Sequence, residues 1–577
     1  MAPTQLLLEP NPTTNALFGV AVAADGDSLA ASTLKGIDSL GNRNGTVTLF
    51  RRDATGRLVR DQVLDSPGSL PGGYEGEFGT ELALRGSRLI VAAPYEYRAL
   101  DNVLGQLHCF EYDPTLGWFL TQTITDPPLG HPPSFGLSEY RGWRMKLSGD
   151  HLFVSFRHSN ISGRIVYYHH DGHRWNYVSS VWPVPGMTGG VNFGWSLDVD
   201  LEAGLMAVGS NRYPQATPPG VPRAVGRVLV YRLIGDGQQP YQFQLDGDLS
   251  PPSPRENGEF GIGCAVLGPD RIAVSTGDFQ LPPTPHHPYE TYYEFERGTS
   301  GWTIARRGAW SDAGHTTFVH REDSVLYVGL PDYPAANRSG SAVIAYCLGA
   351  DSYNPAGVYW QTNSGGYFPR TRPAIGRDFV AIGVSGHYNA GHNAGAVEVY
   401  PRLSSSDCLR ATFGSALCGG GATGCPTGAI APDPGTGCLN SSGRGARMHY
   451  TGSAQGAFNT GRMVVTGLPP GEFAVLMRGT LSLTGAQWNP AGHLALGSGV
   501  TCLVQPIVTA YPIRRASAAG AVEWFDILDR SPSAPSWGVH GGYWYDIPFQ
   551  VWYRDRDGAG NATSNTSNAL LLPIRLW

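Results

Sequence analysis

The sequence predicts an all-β protein: a seven-bladed β-propeller closed by its own first residues, followed by a β-sandwich. Three observations carry this. Charged residues make up only 15 % of the 577, while Gly (77) and Pro (44) together exceed a fifth of the chain, a composition rich in tight turns and poor in solvated helix faces. A two-strand phrase opening on Phe-Gly recurs along most of the chain. After residue 403 the composition becomes rich in Cys and Gly. Hydrophobic residues at 41 % and aromatics at 11 % are too many for a disordered tract, and Gly and Pro follow no three-residue period, which excludes collagen. The length exceeds one ordinary core.

The phrase reads FGVAVAADGDSLAAS from Phe18, FGTELALRGSRLIVAAP from Phe78, RGWRMKLSGDHLFVSF from Arg141 and FGWSLDVDLEAGLMAVGS from Phe193. Three more copies are FGIGCAVLGPDRIAVST from Phe260, HTTFVHREDSVLYVGLP from His315 and YFPRTRPAIGRDFVAIGVS from Tyr367. Starts lie about 50 to 67 residues apart, near the period of propeller repeats. Each copy gives two alternating strands around a tight turn. A variable loop then leads to a third strand of the form Gly-x-Val, as in GTVTLF, GQLHCF, GRIVYY, GRVLVY, GSAVIAY and GAVEVY, with YETYYEF the loosest. A fourth strand follows, as in RDQVLDSP, LTQTITDPP and QFQLDGDLSPP. Four strands in seven copies make a seven-bladed propeller. The seventh copy lacks its fourth strand, and TQLLLEPNP near the start matches TQTITDPPLG. Residues 4 to 10 are therefore expected to complete blade seven and remove two sheet edges.

On these residues the region from 4 to 402 resembles the FG-GAP propellers, the fold of the integrin α-chain head, in its bacterial variant. Copies one, two, four and five carry the resemblance most clearly; three, six and seven are degraded. Integrin-type blades hold calcium in an Asp- and Asn-rich loop between strands one and two. Here that connection is a tight turn (ADGD, LRGS, LSGD, LGPD, IGRD), and DVDLEAG at Asp198 lacks the third and fourth oxygens, so no blade calcium and no cofactor are expected.

The domain boundary is set at 403/404, with Ser404 to Ser406 as linker. The tail offers short strands (ARMHYTGS, RMVVTGLPPGEFAVLM, PFQVWYRD, NALLLPIRLW), read as a β-sandwich. Residues 437 to 577 resemble a C-terminal domain of secreted bacterial repeat proteins. Cys408, Cys418, Cys425, Cys438 and Cys502 are an odd set, read as two disulfides and one free thiol with the pairing open. Zinc is the competing reading, but no second Cys-x-x-Cys or His pair completes four ligands. Cys109, Cys264 and Cys347 fall on strands and read as buried apolar residues. Disulfides favour an oxidising compartment. The expectation is an extracellular or cell-surface protein whose leader is not in this sequence, because MAPTQLLLEPNP has no basic start before a long apolar run.

A net charge of -6 without a Lys/Arg-rich run argues against nucleic acid or an anionic membrane as partner. No apolar run reaches the roughly 18 to 20 residues of a membrane span. Within a blade, the loops joining strands two to three and four to one share one face, and here they are long. Long loops on a rigid scaffold build binding surfaces. The ligand-binding candidates are Tyr95, Tyr97, Arg212, Tyr213, His286, His287, Tyr289, Asp332, Tyr333, His387, Tyr388 and His392. Any one of these can equally pack its loop; as a set they have the Tyr and Arg character of binding hot spots. The expected function is non-catalytic adhesion or binding of a protein or glycan. A structural subunit of an extracellular assembly, with self-association, and a propeller hydrolase or lyase are the alternatives. The enzyme reading requires acidic and His side chains converging in the central channel, and no HExxH, GxSxG or phosphate loop supports it. His169, His170, Asp171 and His173 in VYYHHDGHRWNY invite a metal. Their alignment with TLFRRDATGRLV instead places them at the hairpin between strands three and four, with the adjacent His169 and His170 on opposite faces.

Overall fold

The computed structural model describes residues 3–9, 11–68, 76–98, 103–125, 144–156, 163–184, 192–213, 224–235, 240–252, 258–277, 292–308, 318–335, 338–348, 353–360, 372–385, 394–403, 415–418, 436–451, 462–478, 494–496, 499–501, 511–525, 544–557, 559–567 and 569–575. Every regular element among them is a strand. Two compact units divide the chain: residues 1–345 with 357–404, and 346–356 with 405–577.

In the first 403 residues seven antiparallel sheets of four strands follow one another. Blade one runs from Phe18 to Asp65, two from Leu82 to Ile124, three from Met145 to Val181, four from Phe193 to Leu249, five from Gly263 to Gly308 and six from Phe318 to Trp360. Blade seven holds Ala374–Ile375, Phe379–Val384 and Ala396–Pro401, and its fourth strand is Gln5–Leu7. Gln5 pairs with Val399 and Leu7 with Val397, antiparallel. The ring is a propeller closed by its first residues, as the sequence predicts.

Packing between neighbouring blades makes the core. One apolar cluster joins Ala21, Ala30 and Val47 of blade one to Phe78, Leu82 and Val91 of blade two. Equivalent clusters join blades two and three, three and four, four and five, and seven and one. Phe18, Phe78, Phe193 and Phe260, the phenylalanines of the repeated phrase, are all fully buried. Each removes a large ring from water, worth roughly 1.5 to 3 kcal/mol. The glycines of the phrase have a steric reason too. Gly79 sits at φ +93, and a Cβ there would lie 2.6 Å from Ser32 Cβ of the preceding blade. Gly395, which opens the third strand of blade seven, sits at φ +88 against the backbone of Phe18, where a Cβ would collide with the carbonyl oxygen. Both positions favour a residue without a side chain.

A neutral clamp ties the outermost strands together. Gln62 Nε2 donates to Trp118 O and Trp118 N donates to Gln62 Oε1, both at 2.8 Å, linking blade one to two. Gln122 does the same with Trp175 of blade three (2.9 and 2.7 Å), and Gln5 with Leu58 across the closure (2.7 and 3.0 Å). The Gln shared by TQLLL, DQVLD and TQTIT is this clamp.

In the second unit, a six-stranded sheet includes Phe473–Arg478, Trp544–Arg556 and Ala569–Arg575, and a three-stranded sheet comprises Arg447–Thr451, Arg462–Thr466 and Val522–Phe525. Met448, Met463 and Trp524 of the smaller sheet share one core with Leu476, Phe549 and Val551 of the larger. Cys438 is disulfide-bonded, and so is Cys347, which corrects its reading as a plain apolar residue. Cys109 and Cys264 are free and buried. Cys408, Cys425 and Cys502, and the side chain of Cys418, lie outside the described residues. No helix among the described residues is long and apolar enough to cross a membrane.

Candidate functional site

The first strand of each blade is the innermost, and these strands meet around the central channel. A cavity of about 530 Å³ occupies the channel, within the size range of small-molecule sites. Its walls come from all seven blades: Val22–Asp25, Glu81–Arg85, Met145–Ser148, Asp198–Glu202, Val266, His320–Asp323 and Arg372–Ile375. These are the ends of first strands and their following turns, so the cavity opens on the turn face, opposite the long loops.

Charged groups bridge the blades around it. Arg85 Nη1 lies 3.1 Å from Asp25 (blades two and one), Arg144 Nη1 3.3 Å from Glu81 (three and two), and Lys146 Nζ 3.1 Å from Asp198 (three and four). Blade five offers only backbone: Val266 N donates to Asp198 Oδ2 at 2.9 Å, and Val266 O accepts from Arg321 Nη1, which also pairs with Asp200 at 3.1 Å. Arg402 holds Asp323 (seven and six), and Arg377 holds Asp27 at 3.0 Å (seven and one). Every junction therefore carries at least one charge-assisted contact, a stronger link than a neutral one.

Burial and these partners set the protonation of the deeper groups. Burial pushes the Glu81 carboxyl up against the opposing pull of Arg144 and Arg372, and it pushes the Arg144 guanidinium down. For Asp198 burial acts upward, but Lys146, Arg372 and His320 with the Val266 amide outweigh it and hold the carboxyl below its usual value. His320 is lowered to about 3, by burial first and then by Lys146 and Arg372. Its ring is neutral at physiological pH. Burial raises Glu322.

Two polar atoms in this wall have no partner: Arg372 Nε and His320 Nδ1 are buried and unbonded. Arg372 spends Nη2 on Leu197 O at 2.7 Å, and among the described residues the ion-pair neighbour of His320 Nε2 is Glu322, at 3.9 Å. Buried polar atoms are normally satisfied, and these two belong to residues that line the same cavity. No group of three His, Cys, Asp or Glu side chains suited to a metal occurs among the described residues.

The sequence-predicted binding residues stand elsewhere. Arg212 is exposed, and Tyr213 packs partly buried against the core shared by blades three and four, with Arg227 stacked 4.7 Å from its ring. Tyr95 and Tyr97 lie on the second strand of blade two and Asp332 and Tyr333 on the second strand of blade six, but their side chains are outside the described set. His286, His287, Tyr289, His387, Tyr388 and His392 lie outside the described residues altogether. The hairpin expectation for the histidine cluster is met. Asp171 Oδ1 accepts from His173 N and Arg174 N at 2.9 Å, His170 packs on Trp175, and His169 faces His151.

No described protein family matches the chain by sequence, and no curated protein does. Solved structures resemble it in fold. One is a chain of the crystal structure of the mitotic checkpoint complex (10 % identity, TM-score 0.40, covering 70 % of this chain and 95 % of that one). Another is the periplasmic gluconolactonase of Pseudomonas aeruginosa (14 %, TM-score 0.34, 59 % and 88 %). A third is the hydrazine synthase of Kuenenia stuttgartiensis (12 %, TM-score 0.39, 68 % and 98 %). Such distant likenesses bring no activity to this chain.

Proposed function

We propose that this protein is a non-catalytic binding protein whose ligand site is the turn-face end of the propeller channel. The observation that carries the reading is a cavity lined from all seven blades whose wall residues Arg372 and His320 each keep a partnerless polar atom, Nε and Nδ1, while most of its other charges are fixed by interblade pairs. A site that leaves polar groups unmatched sacrifices stability unless something else completes them. A thermal-shift screen of small molecules on the full chain tests this. Hits should lose their Tm increase in Arg372→Gln; hits indifferent to that change would remove the channel as the site.

We read the propeller as of FG-GAP type, supported by the recurrent Phe-Gly pairs, and the tail as a β-sandwich, supported by two sheets sharing one core. Secretion is supported by the disulfide-bonded Cys347 and Cys438. Capture of a protein or glycan by the long-loop face is a second binding mode, favoured by exposed Arg212. An enzyme is the alternative class, favoured by Glu81 and Glu322, carboxyls raised by burial within one cavity as a general acid requires. Turnover of a bound ligand that vanishes in Glu322→Gln while binding persists would establish it.

A further inference from the structure

The channel groups are ordered by sign along the channel axis. Deeper than the turns stand Lys146 and Arg372 of the cavity wall, and Arg144, which pairs with the wall residue Glu81, against Glu81 and Asp198. Their side chains are well covered: Lys146, the most open of the paired ones, is 25 % exposed and Asp198 only 5 %. At the mouth stand Asp25, Asp200, Glu202, Glu322 and Asp323, against Arg85, Arg321 and Arg402, the partner of Asp323. The deep end is thus net positive and the mouth net negative. Most of these charges are already spent on one another. The groups left over are the deep Arg372, whose Nε is a donor without an acceptor, and the mouth carboxylates of Glu202 and Glu322, the latter with His320 at 3.9 Å as its only ion-pair neighbour among the described residues.

A simple anion would have to pass the acidic mouth, and a simple cation would meet guanidinium groups at the bottom. Like-charge juxtaposition rejects both. A molecule negative at one end and positive at the other satisfies the deep guanidinium and the mouth carboxylates together. Resting on the reading of the channel as the ligand site, we propose that the ligand is a zwitterion of amino-acid size. Its carboxylate pairs with the Arg372 guanidinium at the deep end, and its ammonium donates to Glu322 at the mouth. A cavity of about 530 Å³ admits such a molecule with room for a short spacer between the charges.

The experiment is calorimetric titration of the full chain with a ladder of glycine, β-alanine, 4-aminobutyrate and 6-aminohexanoate, with butyrate and butylamine as single-charge controls. One member of the ladder is expected to bind at least about tenfold tighter than either control, the value of one charge-assisted contact. Glu322→Gln should erase that preference and leave butyrate unchanged; Arg372→Gln should weaken both. Thermal melts of each variant show that it is folded. Butyrate binding as tightly as every zwitterion, or no binding by any member of the ladder, would overturn the zwitterion. If screened ligands of other chemistry still depend on Arg372, the channel reading stands without it; if none does, both fall.

Discussion

The rim and the channel of the propeller solve the same problem, holding neighbouring blades together, with different chemistry. At the rim, Gln5, Gln62 and Gln122 each exchange two neutral hydrogen bonds with the backbone of the next blade, and the clamp amide is satisfied at both ends. Charge enters the rim between blades four and five, where Asp246 takes Trp302 Nε1 and Arg297. In the channel every junction is charged, and the pairing does not come out even: Arg372 Nε and His320 Nδ1 remain over. Partnerless buried atoms also occur away from the channel, as at Ser179 Oγ on the outermost strand of blade three and at Arg51 Nε. What sets Arg372 and His320 apart is that their residues line a cavity, and the proposed function rests on that difference.

The comparison is open to attack at several strengths. The largest effect is expected where neither chemistry matters: Gly395→Val drives a branched side chain into Phe18 backbone at the ring closure, costing more than about 4 kcal/mol and seen as loss of a cooperative thermal transition. Lys146→Met comes next, because it strands Asp198, 5 % exposed, and breaking a buried pair from one side costs roughly 3 to 5 kcal/mol. Its pH dependence has a definite sign. Asp198 is held low in the folded state, so the pair stabilises fully above the ordinary carboxylate range and is lost as pH falls through the lower, folded value. The wild-type advantage over Lys146→Met, measured by denaturant melts, should be full at pH 7 and shrink in acid. Gln62→Ala leaves Trp118 N and O without their clamp and should cost about 1 to 2 kcal/mol, with no change in ligand binding. Arg85→Ala, breaking an exposed pair at the mouth, should cost less than about 1 kcal/mol.

The fold was legible because seven copies repeat one steric solution. Phe-Gly marks a buried ring and a glycine pressed on the preceding blade, and the Gln of TQLLL advertised the closing strand before any pairing was known. The channel was less legible, for a physical reason. Lys146, Asp198 and His320 sit on strands that otherwise read as apolar, and single polar residues there look like noise in the alternation. Arg144, Lys146, His320 and Arg372 come from copies three, six and seven, the ones with degraded signatures. Departure from the repeat was itself the signal: where a local rule is broken inside a regular scaffold, a site is the expected cause. The loop residues chosen instead, such as Tyr213, drew on composition, and Tyr213 is partly buried under Arg227.

His320→Leu tests the central claim most directly, through the Tm of the ligand-free protein at pH 7 and pH 5. If the ring is kept for a ligand, replacing a neutral imidazole whose Nδ1 is unbonded with an apolar side chain leaves Tm unchanged or raises it at pH 7. The variant should gain further on wild type at pH 5. A histidine lowered to about 3 in the folded state stabilises fully above the unfolded value, and that contribution is lost as pH falls from about 6.5 toward 3. A fall of several degrees at pH 7 would show that His320 holds the blades together, and would contradict the assignment of function to the channel.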